Sequence, residues 1–240
     1  MWSKFELISQ TYRISMGKLY TPAQKHFKSA SVYVSVLPAM APDQNMNLTD
    51  EQKEEDLRFR KTGPPSILLT EFLSSTFVPD RKIIRAREMV IALKRHLYVL
   101  KNVPSAVIPC QVWTRDFSRP VKDIIKKYNG LAALEFPLRQ GRERIMDALK
   151  AKEWVLYAGA SVLCDNIVAI VPLDNTDYKE HYRYMSALKK EFMKDGLDFT
   201  SDGDQLLYRF IKTYDPDAWL NEDCILFQIK SRRGQTLLEE

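Results

Sequence analysis

Acidic residues are concentrated near the end of the chain, where their spacing could hold a divalent cation. Four aspartates fall within ten residues and two more follow: Asp195, Asp198, Asp202, Asp204, Asp215 and Asp217. Carboxylate oxygens are the ligands that Mg²⁺ and Ca²⁺ prefer. A Ca²⁺ loop does not fit, because no glutamate stands at the twelfth position. The alternative, which we favour, is that 201–204 is a turn and N-cap before a helix over 204–212.

Basic residues are concentrated in a different part of the chain. Segment 81–127 holds twelve lysines and arginines against three acidic residues, a net charge of +9, whereas the whole chain carries +5. Such an excess can neutralise nucleic-acid phosphates. The candidate nucleic-acid-binding residues are Lys94, Arg95, Lys122, Lys126 and Lys127. Ordinary solvated helix faces remain the alternative interpretation of the same residues.

Most local catalytic signatures are absent. The sequence contains no GxxxxGK[ST], no GxGxxG after a strand and no GxSxG, so a Walker loop, a dinucleotide-binding turn and a nucleophile elbow are excluded. The three histidines have no zinc-site spacing. The three cysteines are too sparse for a disulfide framework, which favours a reducing cytoplasm. Cys164, inside an apolar run, is expected to be a core thiol.

Composition sets the class of protein that must position these groups. The chain has 240 residues, of which 45% are hydrophobic and 11% aromatic, which excludes disordered and fibrous chains. The longest weakly charged stretch, 154–173, is interrupted by Asp165 and Asn166, so we expect two strands there and no membrane span. The N-terminus lacks the apolar run of a signal peptide. We expect no membrane partner.

Hydrophobic periodicity predicts an α/β (α+β) domain, a mixed sheet with flanking helices. The predicted domain is 31–230, with an N-terminal extension over 1–30, a surface insertion or long connection over 38–80, and a tail over 231–240. Predicted strands cover 32–36, 106–113, 131–136, 155–163, 167–173 and 224–229. Predicted helices cover 83–100, 118–128, 142–151, 176–196 and 204–212. Asp165-Asn166 is predicted to be a tight hairpin turn, Thr176 an N-cap and Gly196 a C-cap.

Residues 80–223 resemble the VirE N-terminal domain family, a branch of the archaeo-eukaryotic primase-like superfamily. Four segments carry the resemblance in order: 92–110, 116–136, 157–173 and 196–223. The last is the most similar, since it keeps Asp198, Arg209, Tyr214, Asp215, Pro216 and Asn221 in the family's spacing. The resemblance implies a primase-like sheet. It also implies nucleotidyl transfer with divalent metals, in which two carboxylates at i and i+2 of one strand share a face.

The chain departs from that pattern at the positions that matter for catalysis. Glu135 stands at the first carboxylate position but Pro137 stands at the second, and proline offers no oxygen to a metal. Val168 replaces the basic residue, and the phosphate-binding glycines are missing from 161–168. Asp198 would be an isolated third acid. Loss of one such electrostatic element typically costs about 2.7–4 kcal/mol of transition-state stabilisation. We expect no catalytic residues beyond remnant Glu135 and Asp198, and no cofactor, with Mg²⁺ only if catalysis survives.

These observations favour a non-catalytic primase-like domain associated with DNA or RNA, of mobile-element or phage-like type, with a protein partner in a replication or mobilisation complex. One alternative is a protein-interaction or assembly domain that docks through Trp2, Phe5, Tyr12 and Tyr20. Another is an active nucleotidyltransferase with atypical acids. For Arg209 and Asp215 we favour a structural ion pair over a phosphate-binding role.

Overall fold

A computed structural model of the chain describes residues 24–38, 50, 54, 57–58, 62–73, 105–108, 110–113, 119–161, 165–200, 215 and 217–229. The elements in chain order are β1 (Tyr33–Pro38), β2 (Ser66–Leu68), α1 (Leu69–Leu73), β3 (Ser105–Ile108), β4 (Gln111–Val112), α2 (Val121–Ile124), β5 (Ile125–Lys127), β6 (Leu131–Pro137), α3 (Arg142–Lys150), β7 (Tyr157–Ala160), β8 (Asn166–Pro172), α4 (His181–Lys194) and β9 (Trp219–Leu220). Single 3₁₀ turns precede β1, α3 and α4.

The largest sheet has the strand order β6-β8-β7-β9, and each of its strand pairs is antiparallel. Strands β6 and β8 are the longest of the described strands, and their nearly continuous apolar residues, β-branched in β8, fit strands that are covered on both faces. The register places Glu135 opposite Val168 and Pro137 opposite Asn166. The predicted strand over 131–136 and the predicted antiparallel hairpin are confirmed.

Helices α3 and α4 cover one face of this sheet. Alternate residues of β6, including Leu134 and Phe136, pack there against Leu149 of α3 and Phe192 of α4. Trp154 and Phe199 extend the cluster through edge-to-face ring contacts with Phe192. Both helices therefore form because a stripe of apolar residues at helical spacing meets a fully apolar sheet face.

The opposite face of the sheet packs against a second, three-stranded antiparallel sheet of order β2-β1-β3. The shared cluster contains Val34 of β1, Leu69 of α1, and Ala133 and Ile170 of the central sheet. Strand β2 and helix α1 lie within 38–80, which the sequence predicted as a surface insertion or long connection. That prediction is wrong for 66–73, because Leu69, Phe72 and Leu73 are buried core residues.

Strands β4 and β5 form a separate two-stranded antiparallel sheet. The single predicted helix over 118–128 is wrong beyond Ile124, where the chain turns into β5. The apolar positions at 121, 124, 125 and 128 fit a helix, but Ile125 pairs across to Val112 of β4. The predicted strand over 106–113 is likewise two strands, separated at Cys110.

Three smaller expectations also need correction. Asn166 is the first residue of β8 and pairs with Pro137, so the hairpin turn is not Asp165-Asn166. The side chain of Asp177, rather than that of Thr176, accepts a hydrogen bond from the Lys179 N–H ahead of α4. The predicted strand over 224–229 is reduced to single bridges at Ile225 and Phe227.

Two other helix predictions are confirmed. Helix α3 occupies the interval predicted at 142–151, and α4 ends at Lys194 with Gly196 in the left-handed region at φ 66°. The predicted helices over 83–100 and 204–212 lie outside the described residues. The mixed helix-and-sheet class is therefore confirmed, with parallel pairing in the described ranges limited to the Leu173–Phe227 bridge. None of the described helices combines the length and apolar character needed to cross a lipid bilayer.

Candidate nucleic-acid interface

Three of the predicted nucleic-acid-binding residues lie together on the α2–β5 segment. Lys122 is on α2, and Lys126 and Lys127 are on β5; all three are exposed. The short helix begins after Pro120, whose fixed φ of −54° suits a helix start. Asp123 is the acidic neighbour on the same segment, so these four side chains carry a net charge of +2. Lys94 and Arg95 lie outside the described residues.

An aromatic side chain that the sequence did not single out stands beside these lysines. Trp113 follows β4 directly and is 52% exposed. The ammonium of Lys126 lies over the indole, with Nζ 4.6 Å from the ring centroid, which is a cation–π contact. This contact leaves no local signal in the sequence, because Trp113 and Lys126 approach each other only through the pairing of β4 with β5.

The backbone of Trp113 is fixed on two sides. Its N–H donates a hydrogen bond to the carbonyl of Ile124 at 2.8 Å. Gly63, at φ 71°, lies so close that a Cβ there would be 2.7 Å from the Trp113 carbonyl oxygen. A side chain at 63 would therefore clash as well as strain the backbone. The indole consequently projects from a rigid base.

Beneath this surface lies a small buried cluster that supports it. Cys110, Val112 and Ile124 are buried together, with Tyr128 packed against them. Burial raises the pKa of the Cys110 thiol to about 12. A thiol with that pKa is protonated at neutral pH, so Cys110 has the character of a core residue and not of a nucleophile.

Hydrogen bonds connect Tyr128, beside this cluster, to the first residue of α4. The Asn175 amide donates to Tyr128 Oη at 3.0 Å, and Tyr128 Oη lies 3.0 Å from Nδ1 of His181. Burial raises the pKa of Tyr128 and lowers the pKa of His181 to about 4. Tyr128 is therefore a neutral phenol and His181 a neutral imidazole at pH 7, joined by one hydrogen bond between Oη and Nδ1. At neutral pH this arrangement positions β5 against α4 and offers no imidazolium to a phosphate.

The two segments that carry the predicted remnant acids lie side by side at the β6 edge. The Thr200 N–H donates to the backbone carbonyl of Glu135 at 2.8 Å, which brings the segment containing Asp198 alongside β6. Gln140 holds Asp198 from the side, accepting from its N–H at 2.7 Å and donating to its carbonyl. The Asp198 side chain is 66% exposed and 3.5 Å from Lys189 Nζ.

These residues do not fit a divalent-metal cradle. Pro137 shares the face of β6 with Glu135 and supplies no donor, and the cross-strand neighbour Val168 is fully buried in the apolar cluster. Asp198 faces solvent and a lysine instead of a second carboxylate. Within the described ranges, no group of three or more His, Cys, Asp or Glu side chains is placed to hold a metal ion.

Asp215 is the most deeply buried carboxylate at the other edge of the sheet, with a side chain 2% exposed. One oxygen accepts from the Ala160 N–H of β7 at 2.7 Å, and the other accepts from the Asp217 N–H at 3.1 Å. Arg142 Nη2 lies 3.8 Å away and is half exposed. These contacts fit the structural role that we favour. Arg209 lies outside the described residues, so its pairing with Asp215 stays a prediction.

Comparison of the chain with known protein families, with curated proteins and with solved structures finds no match in any of the three. The resemblance to the VirE N-terminal domain family therefore remains an expectation from the sequence, and functional arguments rest on the geometry above.

Proposed function

We propose that this chain is a primase-like, non-catalytic domain that binds nucleic acid through the α2–β5 surface, within a replication or mobilisation complex of a mobile or phage-like element. The proposal places it in the cytoplasm, in keeping with the free, buried thiols of Cys110 and Cys224. The partners proposed are DNA or RNA and a protein of that complex.

One observation carries the proposal: Lys122, Lys126 and Lys127 are each exposed and lie within six residues of one another in the sequence. They belong to the most basic segment of the chain, at +9 over 81–127. Clustered lysines displace counterions from a phosphate backbone, which supplies most of the affinity of non-specific nucleic-acid binding. The buried cluster under α2 and β5 holds their backbone in place.

The proposed domain is non-catalytic because Pro137, on the same face of β6 as Glu135, offers no second carboxylate to a metal. Glu135 has Val168 and Pro137 as its neighbours on the sheet, and Asp198 is turned toward Lys189. The lysines lie before β6 in the chain. Glu135 comes four residues after the start of β6 at Leu131, which corresponds to about 13 Å along the strand at the rise of a β-strand. Binding and the remnant acids therefore occupy different ends of β6.

The test is fluorescence anisotropy of a labelled 30-nucleotide single strand, titrated with the full chain at several KCl concentrations. We expect affinity to fall steeply with salt, and the slope of log K against log [KCl] to lose about 0.7 per lysine removed. The test variant is Lys122→Ala/Lys126→Ala/Lys127→Ala. Its control, Lys150→Ala/Lys190→Ala/Lys194→Ala, removes the same charge from exposed positions of α3 and α4.

Equal losses in the two triple variants would show that net charge alone acts and would contradict a defined surface. Affinity that is independent of salt, or absent, would overturn the proposal. A separate incorporation assay with labelled nucleotides and Mg²⁺ or Mn²⁺ addresses catalysis. We expect no product, and activity that disappears in Glu135→Ala would establish a nucleotidyltransferase instead.

A further inference from the structure

We infer that Trp113 is a stacking platform for an unpaired base, so that the nucleic acid bound by this surface is single-stranded. The inference rests on the proposed function and makes its ligand specific. It depends on the exposed indole, which charge alone does not require.

The position of Trp113 sets it apart from an incidental surface residue. Its backbone is fixed by the hydrogen bond to Ile124 and by the close packing of Gly63, yet half of its surface remains in water. An aromatic ring on a rigid base loses little conformational entropy on binding. Its exposed half contributes no burial free energy until a ligand covers it.

The surroundings of the ring identify the chemistry of that ligand. Lys126 Nζ lies 4.6 Å from the ring centroid, and Lys122 and Lys127 are exposed on the same short segment. The ligand must therefore combine a flat, polarisable face with negative charge close by. A nucleotide of a single strand offers both, because its base can lie on the indole while its phosphate meets the ammonium.

Duplex DNA does not fit the same surface. Its base faces are occupied by their stacking neighbours, so it could reach only the lysines. An acidic peptide would likewise use the charges and leave the indole uncovered. The ring therefore makes the surface selective for unpaired strands and tolerant of sequence, because every base has a π-face.

The experiment compares a 20-nucleotide dT strand, a 20-base-pair duplex and poly-glutamate as ligands of the full chain. The test variants are Trp113→Ala and Trp113→Phe, and Met193→Ala is the control for an exposed apolar residue at the end of α4. We expect Trp113→Ala to weaken single-strand binding about 10- to 100-fold, without change in the salt slope, since no charge is removed. Trp113→Phe should retain most of the affinity but lose the ligand-induced quenching of tryptophan emission.

Circular dichroism melting of each variant confirms that it is folded. If Trp113→Ala binds single strands as tightly as the wild type, or if the duplex binds as tightly as the single strand, stacking is overturned. In that case the proposed function would still hold, provided that the wild type binds nucleic acid in a salt-dependent manner and the triple lysine variant does not. If neither nucleic acid binds, or poly-glutamate competes with equal affinity, the proposed function falls together with the inference.

Discussion

The imidazole of His181 is buried at the start of α4, where a positive charge is poorly tolerated. Its Nδ1 shares a hydrogen bond with Tyr128 Oη, which accepts another from the Asn175 amide. Protonation would place a cation in a buried site, and at a helix N-terminus. Each of these effects opposes the charged form, and burial lowers the pKa of His181 to about 4.

This shift makes the folded state sensitive to acid. The pKa of His181 is near 6.5 in the unfolded chain and about 4 in the folded one, so between these values the unfolded chain binds more protons. Stability is therefore lost as the pH falls from about 6.5 to about 4, by about 2–3 kcal/mol from this group. Urea denaturation across that range measures it.

A matched pair of variants isolates the contribution of this histidine. His181→Asn keeps an acceptor near the position of Nδ1 but does not titrate, so its stability deficit against the wild type should shrink as the pH falls. His26→Asn, which alters an exposed histidine, is the control. A deficit in His181→Asn that stays constant from pH 7 to pH 4 would contradict the assigned burial of a neutral imidazole.

At the scale of elements, the Asp215 carboxylate supplies a hydrogen-bond acceptor to β7 at a position that β9 does not reach. Strand β9 pairs with β7 only at Tyr157 and Ala158, and the next outward-facing N–H of β7, at Ala160, is taken by the Asp215 carboxylate. The Ala218 N–H donates to the Asp215 carbonyl at 3.1 Å, so the chain turns back between these two residues, where Asp215 precedes a proline in the sequence. This is the arrangement that aspartate before proline favours.

Removing this cap should weaken the sheet edge without changing the ligand surface. Asp215→Ala removes a buried acceptor of the Ala160 N–H, which costs about 1–3 kcal/mol, whereas Asp215→Asn keeps one acceptor and should cost less. Arg142→Ala, the control, removes an exposed partner 3.8 Å away and should cost under about 1 kcal/mol. Chemical denaturation gives all three values. Unchanged stability with lost oligonucleotide binding in Asp215→Ala would support the phosphate-binding role instead.

The elements also show what the sequence could and could not predict. Strands β6 and β8 were predictable because they are continuous apolar runs, and helices α3 and α4 because their apolar residues recur at helical spacing. Strand β5 was not, since the spacing of Val121, Ile124 and Ile125 fits a helix and only the distant partner β4 selects a strand. Short elements such as β2 and α1 owe their structure to burial against Val34 and not to local pattern.

Some features of the candidate site could likewise be predicted from the sequence, and others could not. The exposed lysines follow from composition, and the shared face of Glu135 and Pro137 follows from strand periodicity. The contact between Lys126 and Trp113 needs the β4–β5 pairing, and the contact between Tyr128 and His181 joins residues 53 positions apart. Interactions that depend on non-local pairing leave no mark on a single sequence.

At the scale of the whole molecule, the two ends of the described fold are joined. His26 and Ile225 form an antiparallel bridge, flanked by hydrogen bonds from Phe27 N–H to Cys224 and from Leu226 N–H to Lys25. Phe27 also packs against the cluster between the two larger sheets. Residues 24–28, predicted as part of an extension over 1–30, thus pair with the last described segment of the domain.

Deletion variants can measure how much the pairing of residues 24–28 with the last described segment contributes to the free energy of unfolding. Removing 1–28 takes away the bridge and the Phe27 contact, whereas removing 1–23 keeps both. We therefore expect the longer deletion to be less stable than the shorter one by about 2–4 kcal/mol, from two hydrogen bonds and one half-buried aromatic ring. Phe27→Ala in the full chain should account for about half of that difference, as measured by urea denaturation.

The same pair of deletions tests the alternative of an assembly domain. Trp2, Phe5, Tyr12 and Tyr20 lie outside the described residues, and both deletions remove them. If these aromatic residues dock a second copy, sedimentation velocity will show that self-association is lost equally in both variants, whatever their stabilities. Equal stability of the two deletions would contradict a contribution from this pairing, because the bridge at His26 distinguishes them along with the Phe27 contact.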